Sequence, residues 1–142
     1  MYGIASGNEQ NELENVSTLR TIISQIKYVP ANDSVGYGRK WIADSGKTIA
    51  VTPIGYADGL NRRLGNGKGK VMINEQLVPI VGNVCMDMCM VDVTGIRANE
   101  GDRAIIFGED LPVTEVAELL GTISYEILTS IGQRVKRVYF KE

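Results

Sequence analysis

The apolar runs of this chain are short, rich in β-branched residues and punctuated by glycine, and that rhythm restricts the fold more than any other feature. Thr18 to Val29 carries Ile22, Ile23, Ile26 and Val29 and predicts one strand ending at Pro30. Thr48 to Ile54 predicts another, with Pro53 placing an edge or a bulge at its end. Val71 to Ile73 and Leu77 to Val81 flank Asn74-Glu75-Gln76, the pattern of a hairpin. Met88 to Val93 and Asp102 to Phe107 predict two further strands, the second ending at Gly108. Thr114 and Ser124 are positioned to cap short helices over Glu115 to Leu120 and Tyr125 to Ile131, ended by Gly121 and Gly132. Arg134 to Phe140 alternates Val135 and Val138 with basic residues and predicts a closing strand. Many short strands at close spacing with glycine turns argue for a mainly β domain, a small, closed or nearly closed β-barrel with two short helices near its C-terminus.

Length and composition narrow the function classes. The 142 residues suit one domain, 1–142, and 44% hydrophobic with 23% charged residues is ordinary for a globular core. A net charge of −2 and only 6% aromatic residues argue against a nucleic-acid binder. No apolar run approaches the length of a membrane span. The start, Met1-Tyr2-Gly3-Ile4-Ala5, lacks the basic and apolar regions of a signal peptide, so a cytoplasmic protein is the expectation. Ala5 to Asn15 is polar and reads as an extended lead-in. Cys85 and Cys89, placed on one strand, lie too far apart for a disulfide and lack the further ligands of a zinc site, so two free, partly buried thiols and no metal are expected.

The chain has no histidine, so a proton moving near neutral pH would have to use Tyr, Lys, Cys or a carboxylate. Tyr37 sits between Gly36 and Gly38, where the small neighbours allow close approach to a ligand; a buried tyrosine needing one hydroxyl partner is the competing reading. Tyr56 and Asp58 occupy the turn Gly55 to Gly59, where the carboxylate can simply hold the turn. Arg62 and Arg63 suit a carboxylate or phosphate, or a solvated face. Gly65 to Lys70 lacks the spacing of a phosphate loop and reads as a mobile hairpin loop. In Cys85-Met86-Asp87-Met88 one charge lies among soft apolar residues, so Asp87 must be paired or near the surface; the neighbours of Met86 suggest a core residue, and the alternative is that its backbone N–H faces a ligand. Tyr125, at a helix start, can aim its hydroxyl at an anion; a half-buried aromatic on a small helix is the competing reading. No lysine has the apolar surroundings of a Schiff-base residue. From residues alone the chain is a binding or assembly module, or half of an active site.

The series VGYG (Val35 to Gly38), IGYADG (Ile54 to Gly59), Arg62-Arg63, VPIVGNVCMDM (Val78 to Met88) and ISYEI (Ile123 to Ile127) resembles the C-terminal domain of bacterial alanine racemase, in the right order over essentially the whole chain; Met1 to Gly3 resembles the segment where the preceding barrel of that family ends. The resemblance implies a pyridoxal 5′-phosphate enzyme that interconverts L- and D-alanine for peptidoglycan synthesis. It implies a homodimer in which an N-terminal (β/α)₈ barrel carries the cofactor lysine, and in which the C-terminal domain completes the site on the barrel of the second subunit. Position by position it implies that Tyr37 is the catalytic tyrosine serving one face of alanine, opposite the barrel lysine. Met86 would bind the substrate carboxylate through its backbone N–H, and Tyr125 would reach the cofactor phosphate. Tyr56, Arg62 and Ile123 would line the entrance corridor. A tyrosine acting as a base near neutral pH needs a cation nearby, and the barrel is the implied source. The chain departs from the pattern at Asn83, where some members carry arginine. It also lacks the barrel and its lysine, so the isolated chain is expected to be inactive. A stand-alone dimerisation or ligand-binding module of the same fold is the alternative.

Overall fold

A computed structural model describes residues 16–140. The lead-in Ala5 to Asn15 and the Met1 to Gly3 match lie outside the described residues. In chain order the elements are β1 (Leu19–Ile22), β2 (Gln25–Val29), β3 (Ser34–Val35), β4 (Trp41–Ile42), β5 (Lys47–Thr52), β6 (Lys70–Ile73), β7 (Gln76–Val81), β8 (Cys89–Asp92), β9 (Arg103–Phe107), α1 (Val113–Leu120) and α2 (Ser124–Ser130). Single 3₁₀ turns cover Tyr37–Arg39, Tyr56–Asp58 and Arg62–Leu64.

Seven strands form one antiparallel sheet in the order β1-β9-β6-β7-β8-β5-β2, and β3 and β4 pair as a separate arm. The two outer strands are halves of one stretch of chain. The single strand expected over Thr18 to Val29 is broken at Ile23 and Ser24, where the backbone changes partner. Ile23 N–H donates to the Asp102 carbonyl and Ser24 N–H to the Val51 carbonyl, both at 2.9 Å. The break lets β1 pair with β9 and β2 with β5, so the sheet curls until its first and last strands meet end to end. This is the barrel-like, mainly β domain that the short runs predict.

The core lies inside the curl. Val71, Ile73, Ile80, Cys89, Val91, Val93 and Ala104 are almost wholly buried there, with α1 and α2 closing the cluster through Val116, Leu120 and Ile127. A smaller cluster of Val35, Ile49, Val81 and Met90 lies beneath the β3–β4 arm. The strand expected over Met88 to Val93 is therefore buried on both faces along Cys89–Val91, not on alternate residues alone.

Three local expectations are corrected. The helices begin earlier than expected, α1 by two residues and α2 by one, with Pro112 and Ile123 in the cap positions, so neither Thr114 nor Ser124 caps; Ser124 is buried instead. Gly121 does end α1 in the left-handed region, donating to the Ala117 and Glu118 carbonyls, whereas α2 ends at Ile131, before Gly132. Residues 134–140 form no strand. Arg137 donates to the carbonyls of Ile131, Gly132 and Val135, and Arg134 is held by two carboxylates, so side chains organise this segment rather than a sheet ladder. The loop Gly65 to Lys70, expected to be mobile, is bonded along β7: Asn66 N–H donates to the Gly82 carbonyl and Gly67 N–H to the Ile80 carbonyl, both at 2.7 Å. Those amides are occupied by the fold, which removes the phosphate-cradle reading.

Candidate functional site

Tyr37, Tyr56, Arg62 and Met86, scattered over about a third of the sequence, line one open cleft of about 510 Å³ together with Asn83, Cys85, Asp87 and Met88. Tyr37 is 76% exposed, which removes the reading of it as a core tyrosine. Its turn depends on backbone that side chains rarely adopt: Gly36, Gly38 and Arg39 have φ of 78°, 72° and 49°. Gly36 also lies against Met90, where an added Cβ would come within 3.1 Å of the methionine methyl. The ring is thus carried outward by a turn seated on the second core cluster.

The Met86 peptide is fixed by the neighbouring loop. Tyr56 N–H donates to the Cys85 carbonyl and Ala57 N–H to the Met86 carbonyl, both at 3.0 Å. The loops touch so closely that a Cβ on Gly55 would lie 2.3 Å from both of those carbonyl oxygens. With the carbonyls occupied, the Met86 N–H has no acceptor among the described residues. A rigid peptide with an uncommitted donor at a cleft wall can receive an anionic oxygen.

The turn Gly55 to Gly59 is held as its sequence suggests: the buried Asp58 carboxylate accepts from Gly55 N–H at 2.8 Å. Its other partner is Arg134, whose Nε lies 2.6 Å from Oδ1 and whose Nη2 lies 3.1 Å from Oδ2. The same Nη2 donates to Asp87 at 2.6 Å. The Arg134 guanidinium, aided by the Gly55 N–H, holds the Asp58 carboxyl below the usual carboxylate range against the opposing effect of burial. Asp87 is both paired and near the surface, the two options its sequence leaves. Arg62 packs over the Tyr56 ring, its Cζ 5.8 Å from the centroid, a cation–π contact that orients both side chains at the cleft mouth.

Sequence reasoning did not find Arg134, although two aspartates among apolar or glycine residues signal a missing cation. Asn83, noted only as a departure, is a structural link. Its amide donates to the Tyr37 carbonyl at 3.0 Å and its oxygen accepts from Asn66 at 3.1 Å. Tyr125 and Ile123 are not in the cleft. Both lie on the exposed start of α2, while the other end of that helix meets Gly59, with Ser130 Oγ 3.4 Å from the Gly59 carbonyl. Cys85 and Cys89 are free thiols as expected, Cys85 at the cleft and Cys89 in the core. Burial pushes the Cys89 thiol up to about 11. Among the described residues no group of His, Cys, Asp and Glu could hold a metal ion, and no helix is long and apolar enough to cross a membrane.

Comparison with known proteins decides the family. The description "Alanine racemase, C-terminal domain" matches residues 16–139. The chain belongs to this family. The domain is 44% identical over 151 residues to an alanine racemase of Clostridium novyi, covering 99% of the chain and 39% of that protein. An alanine racemase of Helicobacter pylori is 40% identical over 148 residues, with 98% and 39% covered. Among solved structures, the Bartonella henselae alanine racemase with covalently bound pyridoxal phosphate superposes with a TM-score of 0.93 at 35% identity, covering 98% of this chain and 39% of that one. The Bacillus anthracis alanine racemase with bound L-Ala-P gives 0.90 at 36% identity, with 99% and 38% covered. The domain therefore spans about two fifths of the length of the racemases it matches.

Proposed function

We propose that this domain completes the active site of an alanine racemase by supplying Tyr37 to a cofactor-bearing barrel of a second subunit. The observation that carries this reading is the convergence of Tyr37 and the uncommitted Met86 N–H on one open cleft. Inverting a stereocentre needs proton donors and acceptors on both faces of the carbon. An exposed phenol beside an anion-receiving amide supplies one face and an anchor for the carboxylate.

In this reading the Met86 N–H donates to the carboxylate of alanine and fixes the α-carbon relative to Tyr37. The Tyr37 Oη takes or returns the α-proton on its face. Tyr56 and Arg62 form the wall of the entrance corridor, and their stacking holds that wall in shape. Tyr125 and Ile123, on a separate face, suit contact with the barrel of the same subunit, Tyr125 reaching the cofactor phosphate. Among the described residues every lysine is at least partly exposed, which fits a cofactor lysine contributed by the barrel. Pyridoxal 5′-phosphate, when bound there, supplies the electron sink for the charge left as the proton departs. The phenol, amide and arginine of the cleft fit the anionic and amino-acid side of that group, and the domain alone is inactive. A homodimeric cytoplasmic enzyme feeding peptidoglycan synthesis follows from the same reading. The exposed Tyr37, Ile123, Tyr139 and Phe140 support it, as apolar surface that a barrel would cover.

The test is Tyr37→Phe in the holoenzyme. Turnover should fall by about 10²-fold or more, the scale of a lost acid–base group, with the fold intact by circular dichroism. Near-normal turnover overturns the assignment. Exchange of deuterium into alanine from each face, measured separately, distinguishes loss of the tyrosine from loss of the lysine.

A further inference from the structure

Three segments distant in sequence meet at one guanidinium. Arg134 forms a fork with the buried Asp58 at 2.6 and 3.1 Å and reaches Asp87 at 2.6 Å. Asp58 in turn anchors the Gly55 N–H, and Gly132 N–H closes back onto the Asp58 carbonyl at 3.2 Å. The loop so anchored is the one whose Tyr56 and Ala57 amides hold the Cys85 and Met86 carbonyls. Arg134 thus grips the Met86 peptide from both sides: through Asp58 and the glycine loop, and through the side chain of the residue that follows Met86.

Charge adds a second consequence. Two carboxylates surround one guanidinium, and Asp87 is half exposed beside the Met86 amide to which the proposed function assigns the carboxylate. An uncompensated Asp87 would repel that anion, because like charges at close range oppose each other even with partial solvent screening. A surface ion pair adds little to stability, so the exposed Arg134–Asp87 arm has more to do with the field at the cleft than with folding. The buried Asp58 arm carries the structural share.

We propose that Arg134 is a positioning residue that sets the affinity of the Met86 amide for the substrate carboxylate, by pinning the peptide and by neutralising Asp87. This rests on the functional reading above. It predicts a split between KM and kcat, because Arg134 touches neither the reacting carbon nor Tyr37.

The experiment compares Arg134→Met, Arg134→Lys, Asp87→Asn and the double variant Arg134→Met/Asp87→Asn in the holoenzyme, with propionate as a carboxylate probe lacking the amine. Arg134→Met should raise KM for alanine about tenfold with kcat within about threefold, the pattern of lost ground-state and transition-state binding alike. The propionate inhibition constant should rise in parallel. The double variant should recover part of both losses, since the repelling charge is gone while the pin on the peptide is not restored. A purely structural role would lower active yield and melting temperature, leave KM unmoved and show no restoration by Asp87→Asn. KM and the propionate constant within about twofold of the parent in Arg134→Met would overturn the proposal. Should Arg134→Met fail to fold because Asp58 is left unpaired, Arg134→Lys and Asp87→Asn carry the test. Arg134→Lys should weaken propionate binding, and Asp87→Asn, which keeps an acceptor for Arg134 and leaves no charge to neutralise, should not weaken it; unchanged binding in Arg134→Lys or weaker binding in Asp87→Asn overturns the proposal. Turnover retained by Tyr37→Phe would sink the functional reading instead, so the two failures are separable.

Discussion

The side-chain amide of Asn83 donates to the backbone carbonyl of Tyr37 at 3.0 Å across 46 positions of sequence. The same residue accepts from Asn66, so it ties the Tyr37 turn to the loop folded along β7. Asn83→Ala removes both bonds at a half-buried site, and a single hydrogen bond there contributes about 1 kcal/mol. We expect a moderate loss of melting temperature, about 6 °C or less for the two bonds. Under the function proposed above, a Tyr37 turn released from its tether should cut turnover of the complete enzyme about tenfold, equivalent to about 1.4 kcal/mol. Steady-state kinetics beside differential scanning calorimetry check this; unchanged turnover would show that Gly36 and its seat on Met90 suffice to place the ring.

Gly55→Ala should be among the costliest small substitutions in the domain. The backbone at Gly55 is extended, with φ of −142°, so any residue can adopt it. The obstacle is space: a Cβ there would meet the Cys85 and Met86 carbonyl oxygens at 2.3 Å. Those atoms belong to a bonded backbone and cannot swing away. A loss of about 2 kcal/mol or more is expected, toward the upper range for overpacking, measured by urea denaturation. Gly95→Ala is the control. Nothing lies within 4 Å of its Cβ position, but its φ is +81°, so about 1 kcal/mol of backbone strain is its whole cost.

The two thiols should react very differently. Cys89 is fully buried, and its sulfur lies 3.0 Å from Thr52 Oγ1, a hydroxyl that also reaches the Cys89 carbonyl at 3.2 Å. Iodoacetamide near pH 7.5 should label Cys85 in the native domain and Cys89 only after denaturation, read by peptide mass spectrometry. Burial raises the Cys89 thiol to about 11 in the folded state, above the value of about 8.5 for an unfolded chain. The neutral thiol's contribution is therefore complete below about pH 8.5 and is lost as pH rises toward 11. Cys89→Ala should show a flatter decline of stability over that window than the parent.

Asp58 governs the opposite limb. Its carboxyl is held low chiefly by the hydrogen bond from Arg134, with burial opposing. A depressed folded value contributes stability above the unfolded value of about 4. That contribution is lost as pH falls below it. Asp58→Asn should destabilise the domain at neutral pH and flatten the acid limb of its stability curve. Parallel acid limbs for the two proteins would show that Arg134 does not select the charged form.

Met86 and Arg134 differ in how much of their role is local to the sequence. Met86 lies in a motif whose order and spacing identify the family, and Tyr37 lies between glycines that advertise a turn; both were legible and both face the cleft. Arg134 lies 76 and 47 positions from its two aspartates, inside an alternating stretch that mimics a strand. Its partners come together only when the tail folds back over two loops. The break at Ile23 was hidden for a similar reason: a β-branched stretch does not disclose a change of sheet partner. Tyr125 and Ile123 were legible as a motif, but not as belonging to a face separate from the cleft.

The sequence by itself determined the β-rich class, the positions of most strands and the family, because period-2 apolar runs, glycine turns and ordered motifs are local properties carried along the chain. Only the tertiary structure decided that the sheet closes through one bent segment, that Asn83 and Arg134 hold the cleft, and that residues 134–140 forgo a strand. Those outcomes depend on hydrogen-bond and charge partners remote in sequence, and a carboxylate or carbonyl does not reveal its donor until packing has set the distance.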